Sequence, residues 1–542
     1  MKLKSETLRI YKAVHGWTGL LSGLALFIAF YAGAFTLFKA ELDDWLRPAQ
    51  QQQAVQQSLD ELGALLPRLL REQPAAAREL RLDLQGEGVQ RRASLSWQAA
   101  AGGVGGDGDE DDEGEGGAAD RRRSAHLDAA GQLQLQTLPA AMPLGRFVDD
   151  LHRVVGLPVD NDVCRWLMGV IAALYALALF SGLVLVLPTL AKDFLALRLG
   201  KNLKRLWLDA HNAVGVASLP FHLVMAVTAV VFAVHDGLYA LQDRWLHQSQ
   251  LQGRPAVSVA APPPDLAQML SPQQLVARAE AEAPGLRIEQ LQYQQLLGPR
   301  PLLRVWGHDE RAVSPRARGG FLALDPYSGR VLNRDFLPGQ QGAAALIISS
   351  AFALHMASFG GTEVRWMYFL LALAGAWLFY SGNLLWIESR RKRAVAAGEA
   401  LQTRGSRVMA ALSVGVSLGC IAALSGTLLG LKLQVLCLPE SALRPAALYY
   451  PIFLACLGWS VWRGAARAAL PVLRLAVVLS LAIPLLGLCE VVIGLAVFNK
   501  AWVVEATVLP IGLALAAMAR ATARRCSDHG QPSVWSAPVR GG

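Results

Sequence analysis

At 542 residues, 53% hydrophobic and only 17% charged, with a mean hydropathy of +0.32, the chain falls well below the roughly 25% charge of an average soluble domain. That composition excludes a disordered chain, which is polar and charge-rich, and argues against an ordinary soluble enzyme of this length. The formal net charge of +9 calls for no nucleic-acid partner, because the placement of the basic residues accounts for it.

The apolar residues gather in blocks near 14–38, 163–187, 211–234, 364–387, 408–431, 447–462, 470–497 and 501–519. A bilayer core of about 30 Å takes about 20 residues of helix, so these blocks read as eight membrane helices, 447–462 being the shortest. The first block is too long for the apolar core of a signal peptide. It carries His15, Trp17 and Tyr31 where a small-residue cleavage site would fall. Lys and Arg cluster at Lys2, Lys4, Arg9 and Lys12, and then at Lys192, Arg198, Lys201, Lys204 and Arg205. Further clusters are Arg390 to Arg393, Arg463 with Arg467, and Arg520, Arg524 and Arg525. On an eight-helix path all of them fall on one side, which the positive-inside rule assigns to the cytoplasm together with both termini.

The resulting division is 1–39 (N-terminus and first helix), 40–162 (first outer segment), 163–234 (helices two and three), 235–342 (second outer segment), 343–393 (helix four) and 394–542 (four more helices and a tail). The second outer segment opens with Ser271 as a cap and Pro272 in the first turn of a helix over 271–283. Alternating runs LRIEQLQYQ and PLLRVWG then read as strands, and FLALDPYSGRVLN places a turn between two more. The first outer segment repeats this plan, with a helix at 58–72, strands near 78–84 and 91–98, and a hairpin at SAHLDAAGQLQLQ. Each segment is expected to form a small α+β domain. The acidic, glycine-rich stretch 102–123 between those strands lacks the spacing of a calcium loop and reads as a solvated insertion. Six cysteines without a CxxC pair give neither a structural zinc pattern nor a covalent haem attachment motif.

Comparison of the chain with itself places the histidines. KAVHGWTGLLSGLALFIAFYAGAF aligns without gaps to LDAHNAVGVASLPFHLVMAVTAVVF, matching His15 to His211 and Gly19 to Gly215, with Gly33 on Ala229. The second and fourth helices match as well, His152 with His355, Trp166 with Trp366, and Ser181-Gly182 with Ser381-Gly382. The first half is thus two copies of a helix, outer segment, helix unit. Parallel repeats pack about an axis along the membrane normal, which brings His15 to His211 near the inner face and His152 to His355 near the outer face. Intramembrane histidines mark function, and two facing imidazoles offer the axial ligands of a b-type haem. Gly16, Gly19, Gly156, Gly215, Gly360 and Gly361 would give a macrocycle room, or serve close helix contact. His222 lies 11 positions after His211, about 16 Å along one helix and about 20° around it, and its counterpart is Leu26. It is either a further ligand or a neutral histidine bonded to a carbonyl. Arg153 and Arg365 are candidate partners of haem propionates, or plain interface anchors. His235 reads as interfacial, and His126, His247, His308 and His529 as solvated.

The HGWTG start, LHRVVGL, DAHNAVG, LHMASFGG and FLALDPYSGRVL resemble the PepSY-associated transmembrane proteins over about residues 8–392. These are bacterial inner-membrane proteins linked to iron uptake, and the ferric-siderophore reductases of the ferrioxamine kind look closest. The resemblance implies two small periplasmic PepSY-like domains and a four-helix core holding two b haems on His15, His152, His211 and His355. It implies electron transfer across the membrane to a ferric siderophore. No cytoplasmic loop is long enough for a nucleotide or flavin domain, and no P-loop or Rossmann glycine motif follows a strand. The donor is therefore a cytoplasmic protein or a membrane quinol. Two rivals stay open: a haem-free envelope binding module, and a siderophore or metal permease. The last four helices contain no histidine and depart from the four-helix form. Glu490 and Glu505 lie there, as proton or quinol sites, or paired with Lys500.

Overall fold

The structure is a computed structural model that describes residues 4–46, 54–86, 88, 91–98, 122–128, 130–138, 144–188, 198, 203–242, 265–312, 319–398, 403–438, 443–493 and 502–527. In chain order its elements begin with α1 (Ser5–Thr36), α2 (Lys39–Trp45), β1 (Gln56–Ser58), α3 (Leu59–Glu72), β2 (Glu79–Gln85) and β3 (Arg92–Gln98). β4 (Arg122–Leu127), β5 (Leu133–Thr137), α4 (Leu144–Arg153), α5 (Asp162–Val186), α6 (Leu203–Ala217) and α7 (Leu219–Gln242) follow. Next come α8 (Pro272–Glu282), β6 (Arg287–Gln294), β7 (Leu302–His308), β8 (Gly320–Leu324), β9 (Val331–Asn333) and α9 (Ala343–Met356). The last five are α10 (Gly361–Ala396), α11 (Arg404–Cys437), α12 (Pro445–Arg463), α13 (Ala465–Val492) and α14 (Trp502–Ser527).

The chain divides into two compact units. Met1–Ala49, Met142–Leu241 and Thr362–Gly542 form the helical unit, and Gln50–Ala141 with Gln242–Gly361 form the unit that holds the sheet. In the helical unit α1, α5, α10, α11, α12, α13 and α14 are long and apolar enough to cross a membrane. α6 and α7 reach that length only together, with a 68° bend between them, so the described residues give seven spans, or eight with the bent pair.

That bend corrects the unbroken third helix read from the sequence. Pro220 has no N–H to donate, and its ring crowds the carbonyl four residues back, so the helix breaks at Ser218. The aligned position in the first copy is Leu24, and α1 runs on for 32 residues. The 16 Å separation of His211 and His222 along a common face therefore fails, because the two lie on different helices.

In the other unit, the two outer segments are halves of one sheet. The strand order is β5-β4-β3-β2-β6-β7-β8-β9, with β1 against β3. β2 and β6 are antiparallel at the seam, Leu82 opposite Leu291. Across it Gln290 bonds Asp83 at 2.6 Å and Gln292 bonds Glu79 at 3.0 Å. Each of these two strands is the first after its half's helix, so the duplication seen in the helices is repeated here and its copies share an edge. The expectation of two separate small domains gives way to a single unit, because strand backbone at a free edge seeks a partner.

Both halves are built alike. Ser58 and Glu61 form a capping box on α3, and Ser271 and Gln274 form one on α8. Leu62, Leu65, Leu66 and Leu69 of α3, with Leu275, Val276 and Ala279 of α8, belong to one buried core with Leu80, Leu82, Leu95, Leu291, Tyr293 and Val305 of the strands. Period-2 alternation in the strands and helical spacing in α3 put those side chains on facing surfaces. The insertion at 102–123 lies outside the described residues except for its last two, which open β4.

Candidate functional site

His15 sits on α1, and its Nδ1 lies 2.8 Å from the carbonyl oxygen of Ala178 on α5. A carbonyl only accepts, so Nδ1 carries the proton and Nε2 keeps its lone pair. His211 on α6 reaches the same state through one more group. Its Nδ1 lies 2.8 Å from Ser381 Oγ, and that hydroxyl donates to the Leu378 carbonyl at 3.0 Å. With its hydrogen committed there, Oγ accepts from Nδ1. Ala178 and Leu378 both stand three residues before the repeated Ser-Gly, so the two copies hold their histidines at matching positions. The two rings face each other with centroids 6.5 Å apart and planes 75° apart.

Glycine makes the room. A Cβ at Gly182 would fall 2.9 Å from Cε1 and Nδ1 of His15, whereas one at the equivalent Gly382 would fall 3.5 Å from Cε1 of His211. The sequence-selected glycines make other contacts: Gly16 faces Trp386, Gly215 faces Leu378 and Gly156 faces Ile28. The legible signal was the Ser-Gly pair in the repeat alignment, which marks the glycine that touches each histidine.

His152 lies on α4, a short helix ahead of the span α5. Its Nδ1 is 2.8 Å from the Ala29 carbonyl of α1, and a Cβ at Gly33 would fall 2.7 Å from that same nitrogen. His355 lies on α9, in the unit that holds the sheet, so the outer pair is divided between the two units.

His222, only 2% exposed, packs against the rings of Phe30 and Phe221 at 5.6 and 5.4 Å. Tyr175 Oη lies 2.5 Å from its Nδ1 and 3.3 Å from its carbonyl oxygen. The consistent arrangement has Nδ1 donating to the phenol and the phenol donating to the carbonyl. Nε2 then has no partner among the described residues. Tyr175 aligns with Gly375 in the second copy, where a Cβ would meet both Phe30 and the His222 ring. The Tyr–His pair is thus an asymmetric addition to the repeat.

The remaining candidates have protein partners. Arg153 lies 3.3 Å from Asp160. Arg365 donates to the Leu37 carbonyl, pairs with Glu41 at 2.8 Å and lies over the Phe38 ring. Trp366 packs on Phe38 and Tyr368 on Phe221, while Trp166 is 53% exposed. Glu490 and Glu505 both meet Lys432 of α11, which the sequence reading overlooked; Lys500 lies outside the described residues. His308 bonds Glu289 at 3.0 Å, and this bond holds the Glu289 carboxyl below its ordinary value. His126, read from the sequence as solvated, instead has its Nδ1 buried, with no partner among the described residues. His247, His529 and the His235 side chain lie outside the described residues.

Two rings on separate helices, each with Nδ1 occupied, present the donor set of a bis-imidazole iron site. The family described as the PepSY-associated TM region matches residues 13–389. The chain belongs to that family. No curated protein matches it. All four repeat histidines of this PepSY-associated protein fall within the match, and α11 to α14 lie beyond it.

Proposed function

We propose that this PepSY-associated protein is a di-haem b electron carrier of the bacterial inner membrane that reduces a ferric siderophore in the periplasm. The observation that carries the reading is the His15–His211 pair, 6.5 Å apart with both Nδ1 atoms committed. His15 and His211 would hold the inner haem, and the repeat alignment puts His152 and His355 forward as the residues for the outer one. Bound there, a b haem supplies reversible one-electron exchange.

The chain's own residues do the rest. The Ala178 carbonyl and Ser381 hydroxyl fix the tautomers that leave Nε2 as ligand, and hydrogen bonding at Nδ1 raises imidazole basicity. The Ala29 carbonyl does the same for His152. Gly182 and Gly33 let the rings sit against neighbouring helices. The electron donor is a cytoplasmic protein or a membrane quinol. Both termini are cytoplasmic and the sheet unit is periplasmic, in line with the Lys/Arg distribution. Iron(II) binds hard oxygen chelators more weakly than iron(III), so reduction releases the metal.

The test is the absorbance spectrum of the purified full chain, oxidised and dithionite-reduced, with haem counted per chain. Two low-spin b haems are expected, one lost in His15→Ala and the other in His355→Ala. Reduced protein mixed anaerobically with ferrioxamine should reoxidise. A chain without haem after expression with ample haem supply overturns the reading and leaves an envelope binding module.

A further inference from the structure

We propose that helices α11 to α14, which lie beyond the family match, clamp α4, and that Trp45, Glu505, Lys432 and Tyr450 are positioning residues for His152. The role of His152 as a ligand rests on the function proposed above; the clamp does not.

α4 has ten residues, too few to hold a helix in place without tertiary contacts. Its start is fixed by α2. The Gly145 N–H donates to Asp43 Oδ1 at 2.7 Å, and a Cβ at Gly145 would fall 2.6 Å from the Lys39 carbonyl oxygen, so the two helices touch backbone to backbone. α2 is shorter still, and one of its anchors is C-terminal. Trp45 Nε1 donates to Glu505 Oε1 of α14 at 2.7 Å. Lys432 of α11 bonds that same carboxylate, lies 3.1 Å from Glu490 of α13, and sits 5.0 Å over the Trp45 ring. These groups are little exposed, 8% for Lys432 and 17% for each glutamate, so water competes weakly for them.

α12 touches the first half of α4, at Phe147, and the segment that follows its end, at Leu157. Phe147 packs edge-on against the buried Tyr449 ring at 5.5 Å, and the Tyr450 hydroxyl donates to the Leu157 carbonyl at 2.8 Å. The start of the helix therefore reaches the C-terminal bundle through α2 and through Phe147, and the segment after its end reaches it through Leu157. Between them the His152 ring is seated on the Ala29 carbonyl and against Gly33 with no slack. A shift of α4 by a fraction of an ångström would move that ring.

The test compares the full-length protein with Trp45→Phe/Glu505→Gln and, separately, with Tyr450→Phe. Hydrogen exchange on haem-free protein reads the clamp. Amides of residues 145–153 should exchange about tenfold faster, the expected loss for one or two hydrogen bonds, while those of α5 stay unchanged. In haem-loaded protein the low-spin electron paramagnetic resonance signal that His152→Ala removes should shift, and the signal removed by His15→Ala should not. Lys432→Arg, which keeps the cation, should retain both wild-type readouts. Unchanged exchange in α4, or an equal rise in α5, overturns the clamp. A wild-type chain that takes up no haem overturns the function proposed above and leaves the exchange comparison to decide the clamp alone.

Discussion

The Gly182 and Gly382 positions are equivalent in the repeat yet unequal in space, which makes them a controlled pair. An alanine methyl at Gly182 would fall 2.9 Å from His15, about 0.5 Å short of the 3.4 Å at which ordinary contact begins, and the atoms it meets include the Nδ1 bonded to Ala178. The ring has to turn or slide, and the 2.8 Å hydrogen bond is the first contact to be lost. That bond contributes about 0.5–1.5 kcal/mol, and removing the partner that orients a metal-ligating histidine weakens metal affinity by about 10-fold to 100-fold. At Gly382 the methyl would sit 3.5 Å from His211, an ordinary contact, so the alanine should be nearly silent. Haem titration of each purified variant, with thermal stability measured beside it, gives the comparison. Gly182→Ala should lose affinity at the inner site by at least about tenfold, and Gly382→Ala by less than about twofold. Equal affinities, or a larger loss in Gly382→Ala, would refute the assignment of His15 as an oriented ligand.

Three further outcomes follow from the geometry. Tyr175→Phe leaves the buried His222 ring without its Nδ1 partner and should destabilise the helical unit by about 1–3 kcal/mol, read by its thermal midpoint; an unchanged midpoint would argue against the bonded pair. Leu291→Ala removes a fully buried side chain at the seam, at about 2–5 kcal/mol, and amides of β2 and β7 should lose exchange protection together; protection kept in β2 alone would mean that the halves fold independently. Acid should loosen the sheet. The His308 bond lowers Glu289, and at Glu79 the Arg81 guanidinium and Gln292 amide outweigh the upward push of burial. Both depressed carboxyls contribute stability that is complete above the ordinary carboxylate value near pH 4.3 and lost as pH falls through their folded values. Protection factors of β6 amides, which correct for the intrinsic slowing of exchange in acid, should therefore fall as pH drops below about 4.3, and Glu289→Gln should flatten that dependence.

The elements that the sequence declares most openly are those governed by local rules. The capping residue Ser271, the helix starting near residue 58, the alternation in β2, β6 and β7, and the long apolar runs appear where the sequence put them. The His15–His211 meeting was legible because the repeat carries three-dimensional information that no single segment has. What stayed hidden was long-range. Nothing in LRLDLQ or RIEQLQYQ states that these two strands become each other's neighbours, since either alternation fits any edge. Pro220 was visible inside its apolar run, but Pro451, Pro484 and Pro510 sit inside unbroken helices, so a proline alone does not announce the 68° bend. Lys432 sits in the last turns of an apolar helix with no local partner, and its two glutamates arrive from α13 and α14.

The seam also sets a clock for synthesis. Asp83 and Gln290, which bond across it, lie 207 positions apart. At a translation rate of about 5–20 residues per second, β2 is made roughly 10–40 s before β6 exists to cover it. Throughout that interval a strand destined for the middle of a sheet is an open edge, free to pair with any passing chain. The bent α6–α7 pair must be inserted within the same window, because its residues lie between the two strands.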